Sequence, residues 1–105
     1  MNNFNNLNPA QDERLAILAE ELAESIQIVG KILRHGYDST HPDDPHTTNK
    51  DYLEHELGHV YAILELMAES GDIDIMKLDA SAKNKLQTMG KYLHHQPPEL
   101  VEFMD

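Results

Sequence analysis

Apolar residues recur at helical spacing along three segments of this chain, and this periodicity is the feature that most limits its fold. In the first segment these residues are Leu15, Leu18, Leu22, Ile26, Val29 and Leu33. In the second and third they are Leu53, Leu57, Val60, Leu64, Met67, and then Ile75, Leu78, Ala82, Leu86, Met89, Leu93. Spacings of three and four place each set on one apolar side of an α-helix. Because no segment shows a strand pattern, we predict an all-α fold with three main helices.

Capping signals bound the first predicted helix. Asn8 can cap its start, Pro9 suits its first position, and Gly36 can follow its last residue. We therefore predict a helix over about 9–35, preceded by a flexible N-terminal segment over 1–8.

Loop-forming residues divide the remainder of the chain. The stretch 36–48 contains two prolines and no periodicity, so we predict a loop there. The second helix is predicted from this loop to Gly71, and the third from Asp74 to Pro97, because glycine and proline end helices and aspartate caps them.

Length, charge and the lack of cysteine limit the function classes. The 105 residues are enough for one domain, which we predict over 9–96, followed by a C-terminal tail over 97–105. The net charge of −11 argues against nucleic acid and anionic membranes as partners, because both bind cationic surfaces. The absence of cysteine excludes disulfides and thiolate chemistry. Without a signal-peptide pattern or an 18-residue apolar run, we expect a cytoplasmic protein with no membrane partner.

Four polar residues fall on helix faces that should be apolar. On a helical wheel Glu21 lies within a second apolar strip of the first helix, and Glu24 lies at its border. On the second helix Glu56 and His59 project into the apolar arc. Inward carboxylates on facing helices are a common way to build a metal site, and Mg²⁺ prefers oxygen ligands. We predict that these four residues bind a divalent metal; the alternative is that they are boundary residues whose long side chains reach water.

Five segments of the sequence resemble a known family. They are LAEELAESIQ (18–27), KILRHG (31–36), HPDDP (41–45), ELGHV (56–60) and GKYLHHQ (90–96). Together they span most of the chain. The resemblance is to the MazG-like all-α nucleoside triphosphate pyrophosphohydrolases, and particularly to their short phage-encoded members.

The family's metal motif places E-x-x-E on one helix and E-x-x-D on the next. Glu21 and Glu24 match the first pair, and Glu56 matches the first residue of the second pair. The resemblance implies a helical bundle completed by oligomerisation (a dimer or tetramer), and a location in the host cytoplasm if the protein is phage-encoded. It also implies Mg²⁺ as cofactor and hydrolysis of a (d)NTP or related nucleotide between the α and β phosphates. Glu21 and Glu24 would be the catalytic residues.

His59 departs from the family pattern, because it stands where the family has an aspartate. An imidazole removes one negative charge and suits Mn²⁺, Co²⁺ or Zn²⁺ better than Mg²⁺. The substitution therefore either shifts the metal preference or abolishes turnover, leaving a nucleotide-binding protein that sequesters a nucleotide or regulates a partner. A third reading is a purely structural bundle whose oligomerisation face contains the four polar residues.

A phosphate-bearing ligand also needs cationic or polar contacts from the protein. Lys85 is the best candidate because it projects at the edge of the third helix's apolar face. Asn84 and Lys91 are weaker candidates for the same role. The alternative is that Lys85 only covers the edge of the core with its methylene groups.

Overall fold

The computed structural model describes residues 4–105, so the first three residues of the predicted flexible segment over 1–8 lie outside the described residues. The elements in chain order are α1 (Pro9–His35), β1 (Thr40–His41), β2 (Asp44–Thr48), α2 (Asn49–Glu69), α3 (Ile75–Met89), a 3₁₀ turn (Gly90–Tyr92) and α4 (Pro98–Met104). Most of these residues are helical, which confirms the predicted helical class. The MazG-like bundle stays a prediction. No helix within 4–105 combines the length and the apolar character needed to cross a bilayer.

The ends of α1 lie where the capping signals predict them. The Asn8 side chain accepts a hydrogen bond from the backbone N–H of Gln11 at 2.8 Å, and the Gln11 side chain accepts one from the N–H of Asn8 at 2.9 Å. This reciprocal pair satisfies two N–H groups at the helix start. At the other end Gly36 has φ +88°, and its N–H donates to the carbonyl of Ile32 at 2.7 Å. The predicted helix over 9–35 is confirmed.

The stretch between α1 and α2 is not the irregular loop that its prolines predict over 36–48. β1 and β2 pair in an antiparallel sheet, with Thr40 opposite Thr48 and a register shift that interrupts regular alternation. Pro42 lies between the strands, and Pro45 lies within β2. A proline is tolerated there because each strand of a two-stranded sheet is an edge strand. The prediction of no strand was wrong because the short strands, the prolines and the register shift together hide the period of two.

The third helix is shorter than predicted. Asp74 caps it as expected, accepting a hydrogen bond from the N–H of Met76 at 2.9 Å. However, α3 ends at Met89 and not at Pro97, because Gly90 begins the 3₁₀ turn, where glycine favours helix less than other residues do. The predicted tail over 97–105 contains α4.

The chain divides into two compact units, one ending at Asp72 and the other comprising Ile73–Asp105. The predicted single domain over 9–96 stays a prediction.

Within the first unit α1 and α2 lie side by side and run in opposite directions. Arg14, near the start of α1, donates from Nε to Asp72 Oδ2 at 2.5 Å and from Nη2 to Asp72 Oδ1 at 3.0 Å, just beyond the end of α2. At the opposite end, Asn49 at the start of α2 donates from Nδ2 to the Gly36 carbonyl at 3.1 Å. Both ends of the helix pair are thus fixed by polar contacts.

The core between these helices is small. Among the described residues the buried hydrophobic side chains are Ile28, Ile63 and Met67, and the buried polar one is Ser25. The Ser25 hydroxyl is satisfied within its own helix, donating to the Glu21 carbonyl at 2.9 Å. Ser25 and Ile28 mark the side of α1 that contacts α2.

The main apolar set of α1 predicts contact with α2 on a different side of the helix. Five members of this set are between 41% and 82% exposed: Leu15, Leu22, Ile26, Val29 and Leu33. Only Leu18 of the set is partly buried. The second apolar strip, formed by Ile17, Ile28 and Ile32 around Glu21, contacts α2 at the buried Ile28, whereas Ile17 is 43% exposed. Periodicity identifies a helix with two apolar strips, but it does not say which strip contacts the neighbouring helix.

Candidate metal centre and adjoining cleft

Glu21 and Glu24 from α1 meet Glu56 and His59 from α2, and we call these four residues the cluster. His59 Nδ1 lies 3.2 Å from Glu21 Oε2 and 3.6 Å from Glu56 Oε2. Each member offers one ligand atom, and these four atoms all lie within 4.8 Å of one another. The i, i+3 spacing on each helix places both members of a pair on the same side, so the antiparallel contact brings the pairs together.

The cluster is only partly accessible to water. The side chains of Glu21 and Glu56 are 19% and 15% exposed, whereas that of His59 is 44% exposed. Glu56 Oε2 is buried and has no hydrogen-bond partner. A buried carboxylate oxygen without a partner is unfavourable, and a cation is the partner that fits it. The oxygen-rich donor set therefore fits a divalent metal ion.

The carboxylates also affect one another. Glu56 raises the pKa of Glu24, first through a hydrogen bond between the two carboxyl groups and then through charge repulsion, with burial and Glu21 adding to the effect. Without a cation, Glu24 therefore holds a proton more tightly than an isolated glutamate does. Binding a divalent ion would displace that proton, as is general for metal sites with acidic ligands.

His55 is a further potential ligand that the sequence reasoning missed. It forms a second group with Glu56 and His59, in which the ligand atoms also lie within 4.8 Å of one another. The rings of His55 and His59 are in edge-to-face contact, with centroids 4.2 Å apart and planes at 64°. The signal was present as the H-E-x-x-H spacing over 55–59, which places two histidines on one face of a helix.

A cleft of about 650 Å³ adjoins the cluster, and Glu56 belongs to both. Its walls come from the last turns of α1, from the β1–β2 hairpin and from the first turns of α2. Lys31 and Arg34 line it from α1, and His41 lines it from the hairpin. On the helical wheel Lys31 and Arg34 lie on the polar side, away from the main apolar set. The structure shows that this side is a wall of the cleft.

The hairpin wall is fixed to α2 by a side-chain contact. Tyr52 Oη donates to Asp44 Oδ2 at 2.5 Å. This hydrogen bond, together with one from Thr47, lowers the pKa of the Asp44 carboxyl, and it raises the pKa of the Tyr52 hydroxyl. Asp44 is thus a stabilised carboxylate within the wall, with its charge compensated by local donors.

The predicted phosphate ligands belong to the second unit. Asn84 and Lys85 are exposed on α3. Lys91 lies in the 3₁₀ turn, with its Nζ 5.2 Å from the centroid of the Tyr92 ring. Their role in phosphate binding stays a prediction.

Comparison of the chain with models of known protein families, with curated proteins and with solved structures gave no significant match.

Proposed function

We propose that this protein is a MazG-like nucleotide pyrophosphohydrolase that cleaves a (d)NTP or a related nucleotide between the α and β phosphates, with a divalent metal as cofactor. The observation that carries the proposal is the juxtaposition of two features at Glu56. On one side is the carboxylate-rich cluster, and on the other is the cleft with Lys31 and Arg34 in its wall. The cleft has the volume of a typical small-molecule site. Such a pairing suits an anionic ligand whose phosphates bridge to metal.

Each member of the cluster has a chemical role in this proposal. Glu21, Glu24, Glu56 and His59 hold Mg²⁺, or Mn²⁺ or Co²⁺ because His59 supplies an imidazole. The bound ion would neutralise phosphate charge and acidify a nearby water molecule. Glu24 is one of the two proposed catalytic residues, and its carboxylate could take the proton of the attacking water. Glu21 contacts His59 and is the second proposed catalytic residue.

The cleft supplies cationic contacts to the nucleotide. Lys31 and Arg34 lie in its wall, and a guanidinium can bind phosphate oxygens through two parallel hydrogen bonds. These contacts would offset the overall negative charge of the protein near the substrate. A role of Lys85, Asn84 and Lys91 in phosphate binding stays a separate prediction for the second unit.

We propose that the active protein is a homo-oligomer, a dimer or a tetramer. The main apolar set of α1 is largely exposed, and within the part of the chain that the structure describes the buried hydrophobic side chains number three. A second copy that packs against the outer side of α1 would bury these residues and enlarge the core. The cost of leaving them in water is about 25 cal/mol for each Å² of apolar surface.

A second candidate function is nucleotide binding without turnover, in which the protein sequesters a nucleotide or regulates a partner. The observation that favours it is the 3.2 Å contact between His59 Nδ1 and Glu21 Oε2. This contact satisfies one carboxylate oxygen of Glu21 without a metal, which an aspartate at position 59 would not do. His59→Asp should then gain Mg²⁺-dependent pyrophosphate release that the native protein lacks.

The proposal is tested with a panel of NTPs and dNTPs in the presence of Mg²⁺, Mn²⁺ or Co²⁺, with pyrophosphate release as the readout. We expect release by the native protein and a loss of about 100-fold or more in Glu21→Gln. Glu20→Gln, an exposed neighbour on the same helix, is the matched control and should remain active.

Each other outcome of this assay selects a different function. Metal-dependent nucleotide binding in calorimetry without release by any metal would identify a binding protein. Neither release nor binding would leave the structural bundle as the remaining reading.

A further inference from the structure

We propose that His55, Glu56 and His59 form a second metal position on the solvent side of the cluster, and that this position takes a borderline divalent ion such as Zn²⁺ or Co²⁺ in preference to Mg²⁺. The inference deepens the proposed function, on which its catalytic meaning rests. Metal binding itself needs no nucleotide and can be measured independently.

The helix geometry places both histidines on one face. Residues four apart on an α-helix lie one above the other, and the ring centroids of His55 and His59 are 4.2 Å apart. The ligand atoms of the three residues are within 4.8 Å of one another. A tetrahedral zinc ion with bonds of about 2 Å holds its ligand atoms about 3.3 Å apart. Small side-chain rotations are enough to bring atoms from 4.8 Å to that separation.

The hydrogen bond of His59 prepares it for this role. Its Nδ1 lies 3.2 Å from Glu21 Oε2. In the tautomer that donates from Nδ1 to this oxygen, Nε2 carries the lone pair that can bind a metal. Metal-binding histidines commonly have their second nitrogen bound to a carboxylate in this way, because the contact fixes the tautomer and the ring orientation. Glu21 then acts as a positioning residue for His59.

The donor types determine which ion is favoured. Two imidazole nitrogens and one carboxylate oxygen suit Zn²⁺ and Co²⁺, whereas Mg²⁺ prefers an all-oxygen environment. The other end of the cluster, at Glu21 and Glu24, offers carboxylates alone. Glu56 and His59 belong to both groups, and Glu56 Oε2 is the buried oxygen that has no hydrogen-bond partner.

Solvent can also reach the proposed second metal position. His55 is exposed, and the His59 side chain is 44% exposed. An ion bound there by three protein ligands would keep an open coordination position, as catalytic zinc sites do, and a phosphate oxygen or water could fill it.

The test uses the full-length, metal-free protein and Co²⁺, whose visible d–d absorption reports nitrogen and oxygen ligands. Zn²⁺ affinity is measured by competition with Co²⁺, and Mg²⁺ binding by calorimetry. We expect Co²⁺ to bind with visible d–d bands and to be displaced by Zn²⁺. His55→Gln should weaken Co²⁺ and Zn²⁺ binding at least about 10-fold and leave Mg²⁺ binding unchanged.

His46→Gln is the matched control, because His46 is exposed and belongs to neither group. It should bind both ions like the native protein, and circular dichroism checks that each variant keeps its helices. Native Zn²⁺ affinity in His55→Gln, or no d–d bands in the native protein, would overturn the inference. If metal binding depends on His55 but no nucleotide is cleaved, the proposed function fails and the metal position stands. If nucleotides are cleaved while His55→Gln binds Zn²⁺ normally, the metal position fails and the proposed function stands.

Discussion

The side of α1 that packs on α2 carries Arg14, Glu21, Glu24 and Ser25, whereas the outer side carries five apolar residues that are at least 41% exposed. In a helix that simply stabilises a monomer, the apolar set would face inward and the charged set would face water. The inner side thus carries carboxylates whose donor set fits a cation, and the outer side carries exposed apolar residues. We propose that a metal ion completes the inner side and that a second copy of the chain covers the outer side.

The largest expected effect comes from the small core behind the cluster. Ile63 is 4% exposed, so Ile63→Ala should lower the free energy of unfolding by about 2–5 kcal/mol through lost burial and a residual cavity. Urea unfolding measures the change. Leu33→Ala, at an outer position that is 82% exposed, should cost less than about 0.5 kcal/mol at a protein concentration where the chain is monomeric. Equal costs for the two variants would mean that the core between α1 and α2 and the outer side of α1 contribute equally to the free energy of unfolding.

The outer side itself is tested with a charge. Ile26 is 71% exposed, and Ile26→Glu should raise the dissociation constant of the oligomer about 100-fold or more, because burying an unpaired carboxylate costs several kcal/mol. Light scattering after size exclusion measures the mass as a function of concentration. Gln27→Glu adds the same charge at the neighbouring exposed position and should leave the mass unchanged. An oligomer that survives Ile26→Glu would show that the outer side of α1 is not the interface.

The inner side of α1 is tested by measuring how the stability of the metal-free protein depends on pH. The folded state raises the pKa of Glu24, so the folded protein binds protons more tightly than the unfolded chain does. The free energy of unfolding should therefore fall as the pH rises from the Glu24 pKa of the unfolded chain, near 4.5, through the raised pKa of the folded protein. Glu24→Gln removes this charge and should raise the urea midpoint at pH 7, with little change near pH 4. A lower midpoint at pH 7 would show that ionised Glu24 is stabilised by an unrecognised partner.

The smallest effect is expected at the Arg14–Asp72 ion pair. The hydrogen bonds from the Arg14 guanidinium lower the pKa of Asp72, so the pair stabilises the fold above the usual aspartate pKa near 3.8 and loses its effect as the pH falls through the lowered value. Asp72→Asn should lower the urea midpoint at pH 7, and the difference from the native protein should shrink below about pH 4. Asp79→Asn, at an exposed position on α3, is the control. A difference that stays constant with pH would mean that the asparagine acts through geometry and not through charge.

The features that the sequence predicts well are those set by local chemistry. The bounds of α1 follow from Asn8 and Gly36, because a cap and a residue at positive φ act within a few positions. The meeting of Glu21 with Glu56 depends on tertiary structure, but the i, i+3 pairs and the apolar residues around them indicated it.

The features that the sequence does not predict depend on how elements pack. The hairpin was hidden by Pro42, which lies between its strands, and by Pro45, which β2 tolerates because no further strand within 4–105 pairs with the sheet. A helical wheel gives the direction of Lys31, but it does not show that the hairpin folds beside that lysine to form a cleft. The choice between the two apolar strips of α1 also depends on α2, so periodicity alone gave no basis for it. His55 is the exception, because its spacing to His59 was visible in the sequence and was missed.

Ser25 affects the distance between α1 and α2 at the cluster without being one of its potential ligands. It is 6% exposed, lies one turn after Glu21, and its hydroxyl is bonded back to its own helix, so only a small side chain stands between α1 and α2 at that level. The separation of packed helices depends on the side chains at their contact. A leucine there would push the two helices apart and lengthen the distance between the ligand atoms of α1 and those of α2. The affinity for the proposed metal ion would thus change at a position that is not one of its ligands.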